Sequence, residues 1–483
     1  MKKILLLISF ITLSVVSCSD DITGLNADTK NPTTTKPEYL FTNAQKTLVD
    51  QMVNASVNRN VFRLFTQYWA ETTYPDESQY NLTTRPIPDT HFTTLYRDVL
   101  RDLKESKTAL NKEVVAGAEE TEVLNNKKAI VDIMSAYTFS VLVDTFGDVP
   151  YTEALDIEGK PLPKYDDAQT IYKDLISKLT VASASLNSSA GSFGSADLIY
   201  AGNTAKWKKF ANSLRLRLAV NMHDVDAAYA ATQISAAVSA GVMSSNSDDA
   251  NLVYLGAEPN ANPLYVDIVA SGRNDFVIAD TFVNKLNSLT DPRRAKYFTF
   301  APGTTNYIGG IYGSSNSYTN FSHINETIVQ PTFPGTIFDF VETEFLLAEA
   351  AARGVAVGGT ATIHYNTAIT ASMERWGVDA ANIATYLAQP SVVYNAVNWK
   401  KSIGEQAWIG LYNRGFEAWI SWRRLDFPVL VAPASTYNDI TKVPTRYTYP
   451  AGEQTVNAAN VTAASALING GDLLTTKIFW DKF

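Results

Sequence analysis

Apolar residues recur at the spacing of an α-helix along most of the chain. The clearest example is a pattern at Ile130, Ile133 and Tyr137, which ends before Gly147. The same spacing predicts helices near residues 37–55, 58–71, 95–110, 168–186, 207–222, 226–240, 339–353, 360–376, 402–412 and 416–424. Because several of these helices follow one another after short breaks, the pattern favours a repeat of helix pairs, although its period is too irregular to define the repeat.

The helical periodicity fades in three regions. Residues 72–89 form a polar and aromatic stretch with three prolines, residues 241–338 are rich in Gly, Asn, Ser and Tyr, and residues 425–483 form a tail rich in Pro and Thr. We expect loops and short strands in the middle region and an irregular tail. Long irregular segments inside a compact protein are commonly functional, so these regions are the first candidates for a binding site.

The N-terminal residues have the pattern of an export signal. Two lysines precede an apolar run over residues 4–16, which is too short to cross a bilayer of ~30 Å. Small residues and Cys18 follow, a pattern that resembles a bacterial lipobox, where the signal is cleaved before an acylated cysteine. We predict a signal peptide over residues 1–17, a lipid anchor on Cys18 and a tether over residues 18–36. An ordinary signal peptide with a chance cysteine is the alternative.

Charge and cysteine content exclude some functions. Without residues 1–17 the chain carries 38 Lys and Arg against 49 Asp and Glu, a formal charge of −11. That balance argues against binding to nucleic acid or to an anionic membrane surface, both of which need excess cations. Cys18 is the only cysteine, so there is no intramolecular disulfide and the fold must be stabilised by burial.

Five blocks of sequence resemble those of the SusD/RagB-type outer-membrane lipoproteins. They are residues 144–151 (DTFGDVPY), 207–218, 341–350 (VETEFLLAEA), 406–424 and 444–457, followed by a terminal Phe479-Trp480-Asp481. Each block is short, but their order behind a lipobox is typical of this family. The acidic run Ser19-Asp20-Asp21 is also similar to the surface-export signal of Bacteroidetes lipoproteins.

The resemblance implies the architecture and the partners. The fold would be mostly α, with tetratricopeptide-like helix pairs forming a superhelical scaffold and an irregular ligand-binding face of loops and short strands. One domain would cover residues 37–483, with the scaffold near 37–240 and 339–424, an insertion near 241–338 and an irregular tail over 425–483. The implied partner is a SusC-like TonB-dependent barrel in the outer membrane. Glu344, Glu349, Arg423 and Arg424 would then form ion pairs and caps of the scaffold.

Catalytic and metal-binding motifs do not stand out. The four histidines occur singly, and the sequence has no H-E-x-x-H, G-x-S-x-G, Walker or G-x-G-x-x-G motif. We therefore expect a non-catalytic protein without a cofactor. A glycosidase, which needs only two carboxylates, is an alternative. Residues 247–251 (SDDAN) are an alternative Ca²⁺ loop.

Two loops combine aromatic rings with amides, the mixture that suits a sugar surface. A ring covers the apolar face of a pyranose, and neighbouring polar groups satisfy the hydroxyls. In starch-binding members of the family the stacking residues come from an early loop and from the middle section, which points to residues 69–81 and 307–321. The candidate ligand-binding residues are Trp69, Tyr74, Tyr80, Asn81, Tyr307, Tyr312 and Tyr318. Trp69 is equally well explained as a core residue, and Arg273-Asn274-Asp275 is a third, polar candidate.

The predicted function is capture of oligosaccharides at the cell surface and their delivery to the SusC-like transporter. A peptide-binding lipoprotein of the same family is the alternative, since some members bind peptides. The sequence leaves the identity of the sugar open among starch, chitin-derived and plant-wall glycans.

Overall fold

Helices make up most of the fold in the computed structural model, which describes residues 35–483. The predicted signal peptide, Cys18 and nearly all of the tether lie outside the described residues. Residues Pro37–Phe483 form one compact unit. The α-helices are α1 (Pro37–Val53), α2 (Phe62–Phe65), α3 (Ile87–Thr93), α4 (Arg101–Lys112), α5 (Ala118–Phe146), α6 (Ala168–Ser185), α7 (Thr204–Asn221), α8 (Ala227–Ala240), α9 (Asp280–Ser288), α10 (Arg294–Tyr297), α11 (Phe340–Ala352), α12 (Ala361–Arg375), α13 (Ala380–Leu387), α14 (Trp399–Gly410), α15 (Gly415–Leu425), α16 (Ala451–Val456) and α17 (Ala458–Leu467).

The longer helices pack in pairs. Helix α1 packs on α4, α5 on α6, α7 on α8, α11 on α12 and α14 on α15. Contacts of α6 with α7, and of α11 with α7 and α14, join the pairs into one scaffold. This arrangement confirms the predicted mostly α fold of tetratricopeptide-like helix pairs.

Short strands connect distant parts of the described chain. Strand β1 (Trp69–Glu71) pairs with β5 (Phe276–Ile278), β2 (Val149–Pro150) with β3 (Tyr165–Asp166), and β4 (Ala250–Leu252) with β6 (Gly335–Phe338). All three ribbons are antiparallel. The β1–β5 ribbon joins the first predicted ligand loop to the irregular middle region.

Two sequence expectations about secondary structure are wrong. The helix predicted over residues 58–71 is limited to α2, because Gln67 has a positive φ of 55° and β1 follows as an extended segment. Residues 60–71 are buried on all sides, so their apolar side chains do not mark one face of a helix. The tail is not wholly irregular, since it contains α16 and α17.

Buried ion pairs tie the helix pairs together. The Arg217 Nε atom lies 2.5 Å from Glu342 Oε1, and the Arg414 guanidinium lies 2.7 Å from both Asp339 and Glu342. Burial opposes ionisation of Asp339, but the Arg414 guanidinium helps to outweigh it and the pKa of this carboxyl is lowered. A pair of this kind is costly to break, because removal of one partner leaves the other charge buried.

The charged residues of the family-like blocks belong to the scaffold, as expected. Arg424 Nε donates to Glu349 Oε2 at 2.8 Å, and His364 Nδ1 lies 2.8 Å from Glu344 Oε2. Arg423 lies over the Trp419 ring and donates from Nη1 to two backbone carbonyls.

Helix α5 is long, and most of its C-terminal half is buried. Among the described residues it is the one helix long and apolar enough to cross a membrane by length and composition, and 89 % of its apolar window is buried inside the protein.

Candidate functional site

Three segments meet beyond the end of strand β1. The Thr72 N–H donates to the Asp275 carbonyl at 2.9 Å, which places residues 273–275 beside the early loop. From the other side Ser315 Oγ donates to the Thr73 carbonyl at 3.0 Å. We call the surface formed by residues 72–81, 273–275 and 311–316 the loop face. The structure thus brings together the early loop, part of the middle loop and the third candidate segment.

Asn316 holds two of these segments in place. Its Nδ2 group donates to the carbonyls of Glu71, Ile311 and Ser314 at 2.7–3.0 Å, and its Oδ1 accepts from the Ile311 N–H at 2.8 Å. Its own N–H donates to the Thr72 carbonyl. Asn316 is buried and its bond to the Glu71 carbonyl is shielded from water, so its hydrogen bonds fix the relative position of the two loops.

A fourth segment, residues 429–437, borders the loop face and was not predicted from the sequence. The Tyr437 N–H donates to the Gln79 carbonyl at 2.7 Å, and Gln67 Nε2 donates to the Val431 carbonyl at 2.7 Å. Val429 and Val431 are exposed. The sequence signal for this segment is a short apolar run between two prolines, Pro428 and Pro433, which has no helical spacing.

Tyr74 is the predicted residue best placed to meet a ligand. It lies at the tip of the early loop and is 64 % exposed. The exposed Arg273–Asp275 ion pair, joined at 2.5 Å, lies on the neighbouring segment. An open ring with charged donors and acceptors nearby has the composition of a sugar-binding surface.

The burial of Trp69 contradicts its prediction as a sugar-stacking platform. Trp69 is 1 % exposed, its Nε1 donates to the Tyr412 hydroxyl at 3.2 Å, and the Arg63 guanidinium lies 4.9 Å from the ring centre. The alternative interpretation as a core residue is the correct one, although the residue belongs to a strand and not to a helix. A ring closed on both faces has no surface to offer a ligand.

Tyr80, Tyr312 and Asn81 are also buried and do not present a surface to ligand. Burial raises the pKa of Tyr80 and of Tyr312 far above the usual range, and the two side chains interact with each other. Asn81 Oδ1 accepts from the N–H groups of Thr83 and Thr84, so its amide shapes a turn. These three residues support the loop face from below, which corrects their prediction as ligand contacts.

Tyr307 and Tyr318 are half-buried and belong to a second aromatic surface. Tyr307 lies 4.5 Å from the half-exposed Phe300 ring, with the Arg294 guanidinium 5.4 Å from its centre. Tyr318 stacks on His323 with ring centres 3.7 Å apart. Because part of each side chain is exposed, both tyrosines remain candidate ligand contacts. Phe300 is a further aromatic residue that the sequence analysis did not single out.

The described residues offer no cluster for a metal ion. No group of three or more His, Cys, Asp and Glu within residues 35–483 is arranged to hold one. In the alternative Ca²⁺ loop, Asp248 accepts from Lys209 Nζ at 2.8 Å, and Asp249 accepts from the Phe340 N–H at 2.9 Å. Their carboxylates therefore serve as an ion-pair partner and a backbone acceptor, which corrects the Ca²⁺ alternative.

Comparisons with known proteins agree with this architecture. A chain described as a chitin-binding protein is 28 % identical with a TM-score of 0.80, covering 93 % of this chain and all of its own. A SusD homolog from Bacteroides uniformis is 27 % identical with a TM-score of 0.79, covering 92 % of this chain and all of its own. A chitin-binding SusD homolog from Flavobacterium johnsoniae shares the fold at 24 % identity and a TM-score of 0.78, covering 92 % of this chain and 98 % of its own.

Sequence comparison identifies the family. No curated protein sequence matches the chain significantly. The sequence model of the SusD-like family, described as starch-binding and associating with the outer membrane, matches residues 29–450. Because this match spans most of the chain, the protein belongs to the SusD-like family.

Proposed function

We propose that this protein captures oligosaccharides at the cell surface without chemical change and passes them to a SusC-like TonB-dependent transporter. The observation that carries the proposal is Tyr74, an exposed ring on the loop face beside the Arg273–Asp275 pair, on the scaffold of a carbohydrate-binding family. A ring in this position covers the apolar face of a sugar, while the charged groups pair with its hydroxyls.

Chitin oligosaccharides are the first ligands to test. A relative named as chitin-binding is 28 % identical to this chain, and starch is the ligand in the family's description. The exposed aliphatic side chains of Ile311, Val429 and Val431, on or bordering the loop face, would also suit the side chains of a peptide, which keeps peptide capture as the second candidate.

Affinity electrophoresis separates these candidates. The protein, produced from residue 19 onward, is run in native gels that contain glycol chitin, soluble starch or xylan. Retardation in one of the glycan gels supports glycan capture and names the ligand class. Binding of a fluorescent peptide mixture with no retardation in any glycan gel would contradict the proposal and favour peptide capture. Shortened glycan chains after incubation would indicate a glycosidase.

We also propose that a lipid on Cys18 anchors the protein in the outer membrane, facing outward. The lipobox-like sequence and the outer-membrane association of the family support this location. A Cys18→Ala variant is expected in the soluble fraction, whereas the wild-type protein should remain with outer-membrane vesicles and be digested by protease added to whole cells. Wild-type protein that resists the protease on intact cells would contradict the outward orientation.

A further inference from the structure

The base of the early loop is closed by the side chain of Glu71. One oxygen of its carboxyl group, Oε2, accepts both the N–H of Ser78 at 2.9 Å and its hydroxyl at 2.5 Å. Glu71 and Ser78 are buried. These two bonds join the end of strand β1 to a residue seven positions later, so they define the loop that presents Tyr74.

A second buried carboxyl group lies against the first. The Glu77 side chain is 1 % exposed and lies within hydrogen-bonding reach of the Glu71 carboxyl. Its Oε1 atom forms an ion pair with Arg85. Its Oε2 atom is buried, and an ionised Glu71 offers it no hydrogen-bond donor.

Two buried carboxylates in contact repel each other, and one proton removes that repulsion. Arg85 pairs with Glu77, and no cation among the described residues forms an ion pair with Glu71, so the proton belongs on Glu71. A neutral Glu71 has an O–H group that donates to the unpartnered Glu77 Oε2, while its other oxygen still accepts from Ser78. A neutral acid thus satisfies the Glu77 acceptor that a carboxylate leaves without a partner.

We propose that Glu71 is a positioning residue of the ligand site that acts as a neutral carboxylic acid and holds the Tyr74 loop closed through Glu77 and Ser78. Its effect on glycan binding rests on the proposed function, whereas its protonation and its effect on the loop do not. Glu71 would lie beneath the loop and orient Tyr74 without touching the ligand.

The other groups around Glu71 agree with this assignment. Burial is the main cause that raises the pKa of Glu71 well above its usual range, the Ser78 hydrogen bonds oppose it, and Glu77 raises it further. The uncharged Tyr312 and its neighbour Tyr80 approach from the middle loop and the end of the early loop. Asn316 donates to the backbone carbonyl of Glu71. Among the described residues, the cation of this cluster is Arg85, and it pairs with Glu77.

A neutral Glu71 makes the closed state of the loop depend on pH. A carboxyl group whose pKa is raised on folding stabilises the folded loop fully at low pH, and that contribution is lost as the pH rises through its folded pKa. The opening of the loop should therefore increase by up to about tenfold per pH unit between the pKa of Glu71 in the open loop and its pKa in the closed loop, and it should stay level at higher pH.

Infrared difference spectroscopy measures the protonation directly. The spectrum of the wild-type protein minus that of Glu71→Gln at pH 7 should contain a carboxylic acid carbonyl band. Glu158→Gln, which removes an exposed carboxyl group, should instead show the loss of a carboxylate band. A carboxylate band in the Glu71 difference spectrum would overturn the proposal. This measurement needs no ligand, so it stands even where no glycan binds.

Hydrogen exchange of peptides from residues 69–82 tests the effect on the loop. A glutamine at position 71 can donate to Glu77 and accept from Ser78, so Glu71→Gln should keep the wild-type protection at pH 7 and retain it up to pH 9. Glu71→Ala should raise loop exchange by about tenfold or more, with little change in helix α5. Exchange in Glu71→Gln as fast as in Glu71→Ala would overturn the proposal. If a glycan binds, Glu71→Gln should bind it with wild-type affinity, and Glu71→Ala should bind it more weakly.

Discussion

At the scale of single residues, Trp69 and Tyr74 lie five positions apart but differ in exposure, and therefore in the role that each can have. Both are aromatic, and both fit the composition of a sugar site. Trp69 is enclosed by Phe276, Tyr412 and Arg63, whereas Tyr74 extends into solvent. The difference arises because strand β1 carries Trp69 into the core and ends before the loop reaches Tyr74.

Replacement of Tyr74 by alanine should weaken glycan binding by about 0.5–1.5 kcal/mol, or roughly 2- to 12-fold, because a ring contact is lost without a change in the core. Titration calorimetry measures this change. Tyr39→Ala is the matched control, since Tyr39 is also 64 % exposed but lies on helix α1. An equal loss of affinity in both variants would contradict the role assigned to Tyr74.

Trp69→Ala should act on stability. Removal of a buried tryptophan costs about 3–5 kcal/mol in free energy of unfolding. Chemical denaturation followed by circular dichroism measures the effect. A variant with wild-type stability and no glycan binding would restore Trp69 as a ligand contact.

At this scale the sequence identifies residue types but not their exposure. Tyr74 and Tyr80 belong to the same loop with similar neighbours, and no periodic pattern distinguishes them there. Tyr80 has a positive φ of 70° and packs with Phe65, which only the folded chain reveals. The candidate list therefore includes several side chains that the fold buries, and ligand binding by the loop stays a prediction.

At the scale of secondary-structure elements, the helical spacing predicts most of the scaffold because each helix buries one face. The β1–β5 ribbon was missed, since its strands are three residues long and are separated by about 200 residues of sequence. The segment 429–437 was missed for a similar reason, because hydrogen bonds to Gln67 and Gln79 fix its position.

Asn316→Ala should detach the middle loop from the early loop. Its Nδ2 group serves three carbonyls, and the buried Glu71 carbonyl left without a donor costs about 1–3 kcal/mol. Hydrogen exchange should rise in residues 72–81 and 311–316 before it rises in the helices.

Asn320→Ala is the control for this prediction, because Asn320 is exposed on the same loop. Unchanged exchange of both loops in Asn316→Ala would show that other contacts hold the loop face together.

At the scale of the whole molecule, the scaffold depends on buried polar groups as well as on its apolar core. His91 is fully buried between Gln51 and Thr145, and burial lowers its pKa to about 3. It is therefore neutral in the folded protein and gains a proton on unfolding once the pH falls below about 6.5.

His91 should contribute to acid unfolding. A pKa lowered on folding gives stability that is present above the unfolded value and is lost as the pH falls towards the folded value, at up to about 1.4 kcal/mol per pH unit. Urea unfolding from pH 7 to pH 4 measures this slope. His91→Gln should have a shallower slope, and parallel slopes for the two proteins would contradict the neutral state of His91.

The central claim is that this member of the SusD-like family binds glycan on the loop face. Titration calorimetry of the protein from residue 19 onward with chitin oligosaccharides of increasing length, alongside starch and xylan oligosaccharides, tests it most directly. We predict heat with one glycan series, an affinity that rises with chain length and a loss of affinity in Tyr74→Ala. Full affinity in Tyr74→Ala, or heat with peptides alone, would contradict the account.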